Sequence, residues 1–111
     1  VSALEPQTVQ DAAALDIPLS PLPAEQVVAG APETGWVELT ESVGVWEHTP
    51  GTSTDVEVDE VFIVLSGRAT VRWAGGELVL FPGAVGRLSA GTATEWTVTE
   101  TLRKVYVTDG A

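Results

Sequence analysis

The sequence predicts an all-β fold, a jelly roll or closed barrel, and three observations carry that prediction. From Trp36 onward the chain runs in short β-branched stretches whose apolar and polar residues alternate with period two. Turn signals separate these stretches at Thr49-Pro50-Gly51, Ala74-Gly75-Gly76 and Phe81-Pro82-Gly83. About nine short strands at such spacing are what a two-sheet roll or a barrel requires.

The elements follow in order. Strands are expected at 36–41 and at 43–48, the second ending at His48 before Thr49-Pro50-Gly51. The strictly alternating Thr54–Asp59 makes a strand at 54–59, and the apolar-rich run after it another at 60–66. Strands at 69–73 and 77–81 flank Gly75-Gly76, which reads as a hairpin turn and not as a nucleotide loop. The last three are expected at 84–89, 94–99 and 101–107, after Pro82-Gly83 and Ala90-Gly91.

Residues 1–35 have a different texture. They hold five of the seven prolines, five acids and no base, and only Ala12–Leu15 suits so much as one helical turn. Such a segment buries too little alone to offset its own conformational entropy, so an extended arm that gains order by lying on another surface is expected. The division is therefore an arm over 1–35 and a barrel over 36–111.

Composition narrows the function. A chain of 111 residues is one domain, burying about 65% of its unfolded surface. A formal net charge of −11 repels phosphate backbones and anionic lipid head groups, so neither nucleic acid nor a membrane is an expected partner. With no cysteine, the chain has no disulfide, thiolate nucleophile or zinc–thiolate site. The opening Val1-Ser2-Ala3-Leu4-Glu5-Pro6 lacks a charged n-region and an apolar h-region, and the expectation is a soluble cytoplasmic protein.

Alternation also assigns faces. Thr54, Val56 and Val58 are expected to face the interior, and Asp55, Glu57 and Asp59 the solvent. Continued without a bulge, the parity puts Glu60, Phe62 and Val64 inside, where a carboxylate must be paired, hydrated or protonated. In the last strand Leu102, Lys104 and Tyr106 share one face, and Arg103, Val105 and Val107 the other. Lys104 is the expected counter-charge of Glu60 if its face is the interior one, and Arg103 if it is not, with water as the other partner for that carboxylate. Thr94 and Trp96 share a face and suit a pocket wall, while His48, the one histidine, ends its strand near a barrel mouth.

Gly51, then Glu60 with six residues between it and Gly67, then Gly75-Gly76, Pro82-Gly83 and Ala90-Gly91 before Trp96, resemble the two motifs of a cupin. The strings Trp46-Glu47-His48-Thr49-Pro50-Gly51 and Trp96-Thr97-Val98-Thr99-Glu100-Thr101-Leu102-Arg103-Lys104 are similar to the small cupins related to ureidoglycine aminohydrolase and the ethanolamine-utilisation Q protein. The resemblance spans Gly30 to Val107 and implies a cupin double-stranded β-helix. It also implies a metal held by three histidines and a glutamate, a ligand set suited to borderline divalent ions. Here the first histidine pair falls on Thr54 and Val56, or on Ser53 and Asp55 in the longer register, and the third histidine on Thr94. Only Glu60 remains, so no metal or other cofactor is expected, and elemental analysis should find no stoichiometric transition metal.

The resulting expectation is a cupin with a degenerate metal site and an interior pocket for a small polar metabolite, a binding or accessory module. The pocket is to be lined by Thr54, Val56, Phe62, Thr94, Trp96, Lys104, Tyr106 and His48. Two other readings stand beside it: a metal-independent hydrolase, lyase or isomerase with Glu60 as general base, and a structural subunit with a filled barrel. Glu60→Gln is expected to keep the fold and alter ligand binding. A homodimer, with the arm contributing to the contact, completes the expectation.

Overall fold

Two long strands organise the computed structural model, which describes residues 3–108, leaving Val1, Ser2 and residues 109–111 outside the description. They are β6 (Glu60–Trp73) and β9 (Ala93–Val107), antiparallel neighbours along most of their length. Around them lie β1 (Ser20–Pro21), β2 (Val27–Ala29), β3 (Glu33–Glu38), β4 (Val43–His48), β5 (Gly51–Val56), β7 (Gly76–Leu80) and β8 (Val85–Leu88). The other edge of β9 is shared end to end, its first half pairing with β5 and its second half with β4. The other edge of β6 is shared in the same way by β8 and β7. Because both long strands change neighbours midway, one nine-stranded sheet curls over on itself, the jelly-roll arrangement expected of a cupin.

The expected pairs 60–66 with 69–73 and 94–99 with 101–107 are thus single strands, each bent in the middle. The bend lies where the β6–β9 register shifts, between Val64 and Ala69. Gly67 sits there at φ +93°, and a Cβ on it would collide with the Thr101 carbonyl of β9. We expect Gly67→Ala to cost about 3 kcal/mol, from left-handed strain and displacement of β9 together. Urea denaturation checks this, and a loss within about 0.5 kcal/mol would show that the crossing tolerates a side chain.

The curl encloses a core of Phe62, Val64, Ala69, Val71, Leu80, Leu88, Trp96, Val98 and Leu102. A second cluster lies on the outer face of β3, β4 and β9, where Ile17, Leu39 and Val45 are buried with Leu4, Leu15, Leu19 and Val105 packed against them. Its cover is the chain's own N-terminal segment. Pro18 presses so closely on β3 that a Cβ at Gly35 would meet its carbonyl, and Arg103 holds the carbonyls of Ala12, Ala13 and Leu15, all in one turn of that segment. The segment ahead of residue 36 also supplies β1, β2, a 3₁₀ turn at Ala24–Gln26 and the start of β3. Ala12–Ala14 forms a turn closed by Ala14 N–H to Asp11 O at 3.1 Å.

The face assignment for 54–59 holds for Asp55 and Asp59, which are exposed, and is reversed at Val56, Glu57 and Val58. Val56 and Val58 are 65% and 57% exposed, whereas Glu57 is 7% exposed. The strand starts earlier, at Gly51, and buries Ser53, while Thr54, Asp55 and Val56 line the mouth of the pocket. Residues 57–59 then leave the ladder and fasten to the 90–92 turn. Glu57 N–H donates to Thr92 O, Gly91 N–H donates to Glu57 O, and Asp59 Oδ1 accepts from Ala90 N–H. That break restores phase, so Glu60, Phe62 and Val64 face inward after all.

Candidate functional site

One open end of the curled sheet holds a pocket of about 480 Å³. Strand β9 supplies Trp96, Lys104 and Tyr106, β4 supplies Trp46 and His48, and β3 supplies Trp36. Ser53 and Asp55 come from β5, Glu57 from the break after it, and Glu60 from the start of β6. The chain's only lysine, only histidine and only tyrosine, with three of its four tryptophans, therefore meet at one place.

Lys104 is the centre of the arrangement. Its Nζ donates to Glu60 Oε2 at 2.6 Å, and it lies 4.6, 4.9 and 4.7 Å from the ring centroids of Trp46, Phe62 and Trp96. Lys104 and Glu60 are 4% and 7% exposed, so the pair is screened weakly and is supported by three electron-rich ring faces. Arg103, the alternative counter-charge, points outward to Glu47 at 2.8 Å. Alternation along β9 makes that division, because neighbouring residues of a strand face opposite ways.

A second buried carboxylate lies across the pocket. Glu57 Oε2 accepts from Thr94 Oγ1 at 2.6 Å and from Trp96 Nε1 at 3.0 Å. Thr94 and Trp96 are both inward, but Thr94 serves Glu57 and lines a neighbouring hollow with Arg72 and Trp73, not this pocket. Phe62 is fully buried beneath the ammonium and likewise belongs to the floor. Asp55 stands nearer the opening, and its carboxyl is raised above the usual aspartate range by desolvation and then by the neighbouring charge of Glu57, with Lys104 opposing. The Tyr106 phenol is raised by burial and by Glu38 and Glu60, so at neutral pH it stays a protonated donor.

His48 is 1% exposed and has both ring nitrogens engaged. Thr49 O can only accept, so Nδ1 carries the proton and donates at 2.6 Å, which leaves Nε2 to accept from Ser53 Oγ at 2.8 Å. Burial holds the imidazole below its ordinary value; the Thr49 bond pulls it back up, and Lys104 pushes it down. The unfolded chain therefore takes a proton near pH 6.5 that the folded chain refuses, and stability falls as pH drops from about 6.5 toward the folded value. Asp55 acts with opposite sign, since its folded carboxyl protonates more readily than the unfolded one. Urea midpoints at pH 7 and pH 5.5 should fall for the native chain and fall less for His48→Gln; equal slopes would remove His48 as the cause.

The donor set does not suit the metal that the sequence resemblance implies. Of the four equivalent positions, Ser53 and Thr94 are hydroxyls, Asp55 is a lone carboxylate at the mouth, and Glu60 is bonded to an ammonium. Among the described residues, no three histidine, cysteine or acidic side chains are placed to hold an ion.

Sequence reasoning missed Trp36, Trp46 and Glu57 as pocket residues, and gave Ser53 and Asp55 only as the alternative register. The available signal was the Pro50-Gly51 turn, which can start a strand at once and so sets the parity of 51–56.

A curled jelly-roll sheet with its polar groups gathered at one interior end defines a cupin. Within that class, residues 38–106 match the family model of the EutQ-like cupin domain, and the chain belongs to that family. No curated protein matches the sequence. Among solved structures it is similar to a protein of unknown function of the DUF861 family from Pseudomonas syringae pv. tomato, with TM-score 0.73 and 22% identity over 84% of this chain. The chain spans 44% of that protein's length. A putative ethanolamine utilization protein Q from Salmonella typhimurium is similar over 85% of this chain and 95% of its own, with TM-score 0.58 and 17% identity. A protein of unknown function from Rhizobium leguminosarum bv. viciae shares 29% identity over 60% of this chain and 66% of its own, with TM-score 0.56.

Proposed function

We propose that this cupin is a metal-free binding or accessory module that takes a small polar metabolite into the open end of its barrel. The observation that carries the reading is the gathering of the chain's single lysine, histidine and tyrosine and three tryptophans around one pocket. Three carboxylates and one ammonium line it, with the imidazole neutral, so it favours ligands rich in hydrogen-bond donors. Aromatic walls supply area for a compact apolar part.

Tryptophan fluorescence reports on the site directly. Ethanolamine, allantoin and glucose serve as an amine, a ureide and a sugar probe, the ureide chosen for the sequence's resemblance to ureidoglycine aminohydrolase. Saturable quenching by one of them, lost in Ser53→Trp, is expected, with no stoichiometric transition metal by elemental analysis. Absence of saturation with all three, or one equivalent of bound metal, would overturn the reading.

The 2.6 Å contact of Glu60 with Lys104 favours a second reading, in which Glu60 is the base of a metal-independent hydrolase, lyase or isomerase. Turnover of a bound probe that Glu60→Gln abolishes would select it. A homodimer and a cytoplasmic setting belong to the same proposal. Exposed Ile63 and Val85, cross-strand partners on the outer face of β6 and β8, support self-association, which sedimentation tests. No helix among the described residues is long and apolar enough to cross a membrane.

A further inference from the structure

We propose that Lys104 captures a small aldehyde or ketone as a protonated imine within the barrel pocket, an inference that rests on the pocket being a ligand site. Every other basic side chain except His48 is an arginine; the one lysine is placed at the floor of the cavity. An ion pair kept only for stability gains little from such a position, because well-packed apolar residues usually serve as well. Lysine differs from arginine in being able to lose its proton and act as a nucleophile, and buried lysines are the ones that form Schiff bases.

The surroundings match each stage. Glu60 Oε2, 2.6 Å from Nζ, is placed to take a proton from the ammonium. The free amine adds to the carbonyl carbon, its surplus proton passes to the carbonyl oxygen, and a carbinolamine results. Glu60, now a carboxylic acid, protonates the hydroxyl, and water leaves as the nitrogen lone pair closes the C=N bond. The sum is ammonium plus carbonyl giving iminium plus water, with Glu60 returned to carboxylate and no oxidant or reductant consumed.

The product keeps the positive charge of the starting ammonium at the same atom. Glu60 stays its counter-ion, Asp55 and Glu57 line the same cavity, and Trp46, Phe62 and Trp96 present ring faces at 4.6–4.9 Å. Aromatic boxes bind alkylated nitrogen cations as well as bare ones, so the added carbon does not cost the site its interactions. That carbon has the cavity of about 480 Å³ to occupy.

The single lysine makes the test clean. The full chain is treated with propanal or 2-butanone and sodium cyanoborohydride at pH 7, and peptide mapping compares labelling at Lys104 with labelling at the α-amino terminus. An unactivated lysine lags an α-amino group roughly 100-fold at neutral pH. We expect Lys104 to label at least as fast as the terminus in the folded protein, to lag it in guanidinium chloride, and to slow about 100-fold in Glu60→Gln that retains native circular dichroism. Labelling at the terminus alone overturns the proposal. If one of the three fluorescence probes binds while Lys104 stays unlabelled, imine capture falls and the binding reading stands; if none binds and Lys104 stays unlabelled, both fall.

Discussion

Lys104→Met is expected to destabilise the fold by about 3–5 kcal/mol, because it leaves the Glu60 carboxylate, 7% exposed, without its counter-charge. Methionine approximates the length of the lysine stem and keeps its packing against Trp46, Phe62 and Trp96, so the loss reports on charge more than on volume. The double variant Lys104→Met with Glu60→Leu should recover most of the loss, since an apolar pair avoids the desolvation that the ion pair must overcome. Urea denaturation of the two single variants and the double one gives the coupling. Independent, additive losses would mean that Glu60 is satisfied by water and owes nothing to Lys104.

Arg103→Ala should cost about 3 kcal/mol and loosen the segment over residues 4–19. One guanidinium donates from Nε to Glu47 and from Nη1 to the carbonyls of Ala12, Ala13 and Leu15, at 2.8, 3.1, 3.2 and 2.7 Å. Its removal leaves a half-buried carboxylate and three carbonyls seeking donors, and it uncovers Ile17, Leu39 and Val45. Lysine brings charge but not the fork, so Arg103→Lys should restore only part of the loss. Limited proteolysis checks the location: new cleavage within residues 4–19 is expected, and a variant that is destabilised yet uncut there would place the effect elsewhere.

Much of the fold was legible because turn chemistry is local. Thr49-Pro50-Gly51 closes β4 at His48 as expected, and the residue pair Ala74-Gly75 makes the hairpin between β6 and β7. What stayed hidden depends on distant partners. Nothing near Gly67 says that the chain continues as one strand across it; that follows from 15 residues of β9 running alongside. In β9 the grouping by face was legible, Thr94 with Trp96 and Leu102 with Lys104, but not which side of 101–107 is inner; the structure keeps one parity through the bend and puts all four inside. Across 51–60 parity failed because residues 57–59 fasten to the 90–92 turn, a contact with no local signature. Glu57 therefore read as a solvated acid although it accepts bonds from Thr94 and Trp96.

Arg103 and Lys104 are consecutive in the chain yet do unrelated work on the two faces of β9. A slip of β9 by one residue against β4 and β6 would send a guanidinium into the aromatic pocket and an ammonium out to the N-terminal segment. The two are not interchangeable: the guanidinium is a planar fork that does not reproduce a point charge set among three ring faces, and the ammonium cannot span Glu47 and three carbonyls at once. The two adjacent cations thus act as a registration mark, penalising a mispaired β9 on both sides of the sheet simultaneously.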